Sequence, residues 1–419
     1  MFDSKSKNKL FRPHYWMQYI FYGIFKPLAF LFVRPFFKLR YRKNGFKFPK
    51  GGFLLLSNHH NNWDPIFINF FLPWRIPHFV ANEEVFYNSI TAFVFGRLLG
   101  QIKRGMSATD LGYIRIMQRY AKDGKVIGIY PEGDISMFGD TLPIDLAIAK
   151  LAKMLKLPIV LVRGTGLHLR SPRVAKYARR SVLTYTITDV LEAETVRNLS
   201  NEELHARIVK GIEHSENTWQ KTANIKTGAL QARAKWLEIG FFYCPKCHAF
   251  ESFYSKNNDL YCRNCDFHLH ANRYYRFDYP SDLHNTYPHP ENSSDFDVLQ
   301  KKALKARLQE HTEKNPLVAT VDNIRYHTAK NGLMFKHRYQ TGKFRLYLDR
   351  LEVDNKHGEI VFNIPMEEIL STKLQYKDVF EISLHDYRLR LYKKKGTWNG
   401  YLYVETLKLL LQKHQQNLV

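Results

Sequence analysis

The 419-residue chain is expected to open on an α/β domain with a largely parallel sheet, continue through a small four-cysteine module and close on a mostly β module ended by a helix. Three observations carry that expectation. From Gly51 to Gly166 short apolar runs alternate with helix-like segments, the cysteines fall in two Cys-x-x-Cys pairs, and beyond Pro316 alternating strands give way to a final amphipathic segment. The length exceeds one ordinary core, so several folding units are expected.

In the first domain, strands are expected at 53–56, 78–81, 126–130, 159–162 and 182–187. Helices are expected at 64–71, 84–99, 110–122, 146–155 and 201–219, the last capped by Ser200 ahead of Glu202 and Glu203. The composition changes near Phe241, so the domains read as 1–50, a basic aromatic anchor; 51–222, the α/β domain; 223–240, a linker helix; 241–273, the cysteine module; 274–314, a linker and basic helix; and 315–419, the β-rich module. In the last of these, strands at 344–348, 360–364, 369–374, 379–384 and 387–392 precede a helix at 402–413. That pattern resembles a pleckstrin-homology or GRAM-like module.

At 45% hydrophobic and 15% aromatic the chain is globular, and 63 Lys plus Arg against 39 Asp plus Glu leave a formal charge of +24. Such an excess implies an anionic partner: a bilayer surface, phosphorylated metabolites or nucleic acid. Residues 1–50 hold twelve basic residues against the single acid Asp3, interleaved with Trp16, Tyr19, Phe21, Phe25, Leu28, Leu31, Phe32 and Phe36. Lys26, Pro27, Arg34 and Pro35 interrupt the apolar run, so amphipathic anchor helices lying in the headgroup region are expected in place of a span. No small-residue cleavage site follows, and the expected location is the cytoplasmic face of a membrane, peripheral or monotopic.

The first chemical signal is Asn58-His59-His60-Asn61-Asn62-Trp63-Asp64, directly after an apolar strand. An imidazole accepts a proton near neutral pH when a carboxylate holds its other nitrogen, which makes His59 a candidate general base and Asp64 its orienting partner. No Gly-x-Ser-x-Gly elbow is present and the cysteines are committed elsewhere, so the base is expected to activate an external hydroxyl. Taken alone, the pair also fits a capped loop.

Three further stretches change the balance: Gly100-Gln101-Ile102-Lys103-Arg104, Tyr130-Pro131-Glu132-Gly133-Asp134-Ile135-Ser136, and Leu157-Pro158-Ile159-Val160-Leu161. With Asn58, His59 and Asp64 they resemble, in order and spacing, the four blocks of the glycerol-phosphate and lysophosphatidic acid acyltransferase family. The resemblance covers about residues 14–220. It implies an acyltransferase moving a fatty acyl group from acyl-CoA or acyl carrier protein to a lysophospholipid hydroxyl, with 1-acyl-sn-glycerol-3-phosphate the first candidate. It also implies Asn58, Lys103, Arg104, Glu132 and Gly133 as the substrate-binding set. One departure is Ile135, preceded by Asp134, where the family carries arginine. A phosphate ligand is lost there, and Arg163 is a candidate to replace it.

Cys244-x-x-Cys247 and Cys262-x-x-Cys265, fourteen residues apart, have zinc-ribbon spacing, and four thiolates close a structural zinc site. His248, His268 and His270 are surplus to it. Neither Cys247 nor Cys265 is followed by the glycine common in such knuckles. The ribbon offers a surface for a protein partner, while nucleic acid is the less expected partner. The competing function is a non-catalytic zinc-ribbon protein that binds nucleic acid or a protein at the membrane.

Overall fold

The computed structural model describes residues 15–417 apart from 73, 87, 106–111, 229–231, 281–286, 312–314, 321–322, 331–334, 336–338 and 394–395. The basic residues before Tyr15, the first residues of the expected 110–122 helix and part of the expected linker lie outside the described residues. The chain divides into two compact units. The first runs to Pro172 and resumes over Arg179–Ile225, and the second comprises Arg173–Ala178 and everything from Lys226 onward.

The first unit is built on a seven-stranded sheet: β1 (Leu39–Arg42), β2 (Leu54–Ser57), β3 (Pro77–Asn82), β4 (Ile102–Arg104), β5 (Val126–Ile129), β6 (Ile159–Thr165) and β7 (Leu183–Leu191). Their spatial order is β1-β7-β6-β2-β5-β3-β4. β2 pairs parallel with β5 and β6, and β3 pairs parallel with β5 and β4. β7 runs antiparallel to β6, with β1 parallel to β7. The carboxyl ends of β2 to β6 therefore share one edge.

All four residues of β2 are buried, as a central parallel strand covered on both faces requires. Alternation sends Leu54 and Leu56 to one face, where they pack with Met117, Ala149, Ala152, Leu204 and Ile208 of the helices Gly112–Lys122, Ala147–Leu155 and Asn201–Ile212. Phe53 and Leu55 face the other way, onto Phe67, Ile68 and Phe71 of the helix Asp64–Phe71. The helix that follows β2 thus starts at the shared edge and carries Asp64 there.

Several boundaries differ from the sequence reading for identifiable reasons. The expected helix 84–99 is a 3-10 turn, Glu83–Phe86, followed by Ser89–Thr91 and a π-helical stretch, Ala92–Leu98. Asn88 resets the chain by accepting from the amides of Ile90 at 2.9 Å and Thr91 at 3.5 Å. The expected helix 201–219 is two: Ser200 forms a capping box with Glu203, the helix ends at Ile212, and Ser215 caps a second one, Glu216–Ala223. Over 223–240 the described residues are irregular past that helix except for the 3-10 turn Leu237–Ile239, where a linker helix was expected. β1 lies inside the stretch read as anchor, because its basic residues mask a strand whose Leu39 is buried.

The prolines of the amino-terminal segment do not break it. One helical run extends from Trp16 to Phe37, 22 residues, long and apolar enough by length and composition to cross a membrane. Pro27 stands in the first turn of Lys26–Phe37, directly after the π-helical turn Phe21–Phe25, and Pro35 stands in the last turn. Pro27 follows a π-helical turn that already departs from the i→i−4 ladder, and Pro35 removes one i→i−4 bond just before the run ends at Phe37. Gln18, Tyr22, Lys26 and Phe30, four residues apart, form its inward stripe. Gln18 Nε2 donates to the Arg97 carbonyl at 3.2 Å, the Tyr22 hydroxyl accepts from Asn69 at 2.7 Å, Lys26 donates to the Leu72 carbonyl, and Phe30 packs on Tyr41 and Phe70. Trp16, Tyr19, Ile20, Ile24, Phe25, Leu28, Leu31, Phe32 and Phe36 are exposed.

The second unit contains the cysteine module, a four-stranded antiparallel sheet (Phe253–Lys256, Asp259–Cys262, His268–Ala271 and Phe277–Asp278). The helix Ser293–Glu310 follows, then sheets of four and five strands and the closing helix Gly400–Asn417. The strands Val379–Leu384 and Tyr387–Tyr392 match the sequence expectation to the residue. Tyr401, Leu402, Tyr403, Val404, Leu407 and Leu410 are the buried apolar positions of the last helix.

Candidate active site

His59 stands on the loop after β2, and its Nδ1 lies 3.0 Å from Asp64 Oδ2. A carboxylate accepts only, so Nδ1 donates and Nε2 is the nitrogen left with a lone pair. Asp64 is fully buried and fully used. Oδ2 also accepts from the amides of His60 and Asn61, both at 2.9 Å, and Oδ1 accepts from the Tyr185 hydroxyl at 3.2 Å. The His59 ring stacks on Tyr130, centroids 4.2 Å apart and planes within 18°, and Tyr130 stacks in turn on Phe79. The neighbouring His60 has no carboxylate partner: its ring is buried against that of His214, neither nitrogen has a hydrogen-bond partner among the described residues, and burial holds its pKa well below the usual value.

The expected binding set divides in two. Asn58 is buried, with Nδ2 donating to the Gly164 carbonyl at 2.9 Å and Oδ1 accepting from the Gly164 amide at 2.8 Å. That closed pair bolts the His59 loop to β6 through both ends of the side-chain amide. Glu132, on the turn after β5, accepts from the His59 amide through Oε1 and the Leu142 amide through Oε2, each at 2.6 Å. Burial pushes its pKa up to about 8, against the two N–H donors that favour the carboxylate. Gly133 beside it is exposed and adopts φ +72°, a left-handed conformation in which a side chain is strained.

Lys103 and Arg104 end β4 on the same sheet edge. Lys103 lies 3.7 Å from Glu83, and Arg104 is exposed with its guanidinium over the Tyr113 ring. β2 and β4 are separated by β5 and β3, three strand spacings or roughly 14 Å. Gly100, just before β4, has φ +62°, and a Cβ there would meet Gln18 and His78 at 2.6–2.8 Å. That glycine admits the inward stripe of the amino-terminal helix. Arg163, the candidate to replace the cation missing at Ile135, donates from Nη2 to the Lys210 carbonyl at 2.7 Å. Ile135 donates its amide to Asp134 Oδ1 at 2.7 Å.

Sequence reading missed Tyr185 and the stacking role of Tyr130. Tyr185 occupies a core-facing position of β7 between the buried Leu183 and Ile187. A phenol in such a place needs a partner, and that was the available signal.

In the second unit the four cysteine sulfurs lie within 4.8 Å of one another. Cys244 and Cys265 are 3.7 Å apart, as are Cys247 and Cys262, and none is in a disulfide. A tetrahedral zinc with Zn–S near 2.3 Å requires S···S edges of about 3.8 Å, so the set fits. His248 takes φ +60° after Cys247, the left-handed position that glycine favours in such knuckles. The three nearby histidines have other partners: His248 bonds Tyr243, His268 the Asp266 carbonyl and His270 the Asp259 carboxylate.

Residues 39–163 match the profile of the Acyltransferase family. Among solved structures, the chain is similar to PlsC, the 1-acyl-sn-glycerophosphate (LPA) acyltransferase of Thermotoga maritima, at 19% identity and TM-score 0.38, over 44% of this chain and 73% of that one. The human ARAP2 N-terminal PH domain follows at 12% identity and TM-score 0.18, over 22% of this chain and 80% of that one. A C-terminal domain from Leishmania infantum is also similar, at 12% identity and TM-score 0.14, over 23% and 83%. No curated protein matches the chain significantly. The matched segment begins at β1, takes in His59, Asp64, Arg104 and Glu132 and ends within β6, so the chain carries a domain of the acyltransferase family.

Proposed function

We propose that the first unit is an O-acyltransferase of glycerolipid synthesis, moving a fatty acyl group from the thioester of acyl-CoA or acyl carrier protein to the free hydroxyl of a lysophospholipid. The first acceptor to consider is 1-acyl-sn-glycerol-3-phosphate. The observation that carries this reading is the His59–Asp64 pair on the carboxyl edge of the sheet, with Nε2 left to accept a proton.

In this reaction Nε2 takes the hydroxyl proton as the oxygen attacks the thioester carbonyl. The tetrahedral intermediate collapses with cleavage of the C–S bond, and the imidazolium returns the proton to the departing thiolate. Asp64 stabilises the imidazolium, while Asn58 and Glu132 hold the loop. Arg104, assisted by Lys103, binds the acceptor's phosphate. The exposed face of the helix Trp16–Phe37 lies in the cytoplasmic interface of the membrane, because its other face is fastened to the domain through Gln18, Tyr22 and Lys26. In the second unit the four thiolates hold a structural zinc, which organises the module and leaves no open coordination position. The carboxy-terminal strands and helix act as a PH/GRAM-like module that recruits lipid or a protein partner.

Purified protein incubated with labelled acyl-CoA or acyl carrier protein tests the reading. The acceptors are lysophosphatidic acid, lysophosphatidylethanolamine and lysophosphatidylcholine. Diacyl product from lysophosphatidic acid is expected, with KM raised about tenfold in Arg104→Ala, since one charge-assisted bond contributes about 1.5–3 kcal/mol. No product from any acceptor with either donor would contradict it.

A further inference from the structure

The second unit contains a cavity of about 360 Å³, at the lower end of the range of about 300–1,000 Å³ typical of small-molecule sites. Its walls come from the turn before the ribbon (Glu238), the ribbon itself (Glu251 and Arg263), residues between the last strand and the closing helix (Lys393 and Trp398) and the first turn of that helix (Tyr403). Two of these residues keep a buried polar atom with no hydrogen-bond partner among the described residues: Trp398 Nε1, a donor, and Glu238 Oε2, an acceptor. Trp398 as a whole is 8% exposed. The remaining atoms are held in place. Thr397 donates to Glu238 Oε1 at 3.2 Å, Asn399 donates to the Glu238 carbonyl at 3.0 Å, and the Tyr403 hydroxyl donates to Glu251 at 3.2 Å.

The wall chemistry selects among ligands. A bare anion entering the cavity meets two carboxylates, and a bare cation meets Arg263 and Lys393. A molecule carrying both signs satisfies all four. Carboxylates beside aromatic faces suit an ammonium, and Arg, Lys and an indole N–H suit an oxyanion. We infer that this cavity binds a small zwitterion joining an ammonium to a phosphate, of the phosphoethanolamine type, free or as the headgroup of a lipid. The inference does not rest on the acyltransferase reading, since every residue in it belongs to the second unit.

Calorimetric titration of phosphoethanolamine into the full-length, zinc-loaded protein tests it. Saturable binding is expected, weakened at least tenfold in Glu238→Gln and in Trp398→Phe, with zinc content and thermal transition unchanged. Should either variant fail to fold, Lys393→Gln serves in its place. Phosphatidylcholine vesicles with and without phosphatidylethanolamine separate the two sources. Glu238-dependent capture by the mixed vesicles assigns the site to a headgroup, and binding of the free compound alone assigns it to a soluble metabolite. The absence of both saturable heat and Glu238-dependent capture would overturn the inference. So would inorganic phosphate binding as tightly as phosphoethanolamine, or binding unaltered in the variants.

Discussion

The His59–Asp64 pair was legible because both residues sit in one short loop, where five positions separate them and an apolar strand precedes them. Tyr185 was not, because it reaches Asp64 from 121 residues away and only strand pairing brings it there. Asn58 and Glu132 were legible as members of the site but not in their roles: a sequence shows polar side chains near a base and does not show that their partners are backbone amides and a carbonyl. Tyr185 yields a prediction at this scale. A hydrogen bond to an ionised acid contributes about 1.5 kcal/mol or more, so Tyr185→Phe should lower kcat about tenfold and leave KM unmoved. Steady-state kinetics check this, and a kcat within twofold of the parent would show that Asp64 does not need the phenol.

Among the elements, the central strands were the most readable, since buried parallel strands appear as unbroken apolar runs. Helix ends governed by a single side chain were the least readable. Asn88 and Ser215 each divide what periodicity alone joins into one helix. The amino-terminal helix shows the opposite error: it continues through Pro27 and reaches past Pro35, so the run from Trp16 to Phe37 is longer than the charges and prolines suggested. Leu28, Leu31 and Phe32 are 52%, 67% and 75% exposed on its outer face. Burying one such side chain fully contributes about 1.5–3 kcal/mol, so replacing all three with Ser should weaken partition onto anionic vesicles at least tenfold. Vesicle co-sedimentation measures it, and unchanged partition would remove this helix from the membrane contact.

At the scale of the whole molecule, the division into two units was foreshadowed by the abrupt arrival of all four cysteines. The membership of Arg173–Ala178 in the second unit was not, because nothing local marks it. The four-thiolate site predicts that metal and folding are coupled in that unit, since structural zinc contributes on the order of 10 kcal/mol at such sites. Elemental analysis should find one zinc per chain. Chelation or Cys244→Ser should abolish hydrogen-exchange protection over the cysteine module while β2, β5 and β6 keep theirs. Protection unchanged after metal loss would show the module to stand without zinc. The central claim is that His59 is the base of an acyl transfer, and the measurement that bears on it most directly is the rate of diacyl product formation by the parent and by His59→Ala at equal thermal stability. The account predicts a fall of at least a thousandfold, the upper part of the range of about 10² to 10⁴ that general-base catalysis supplies, and a rate within tenfold of the parent would contradict it.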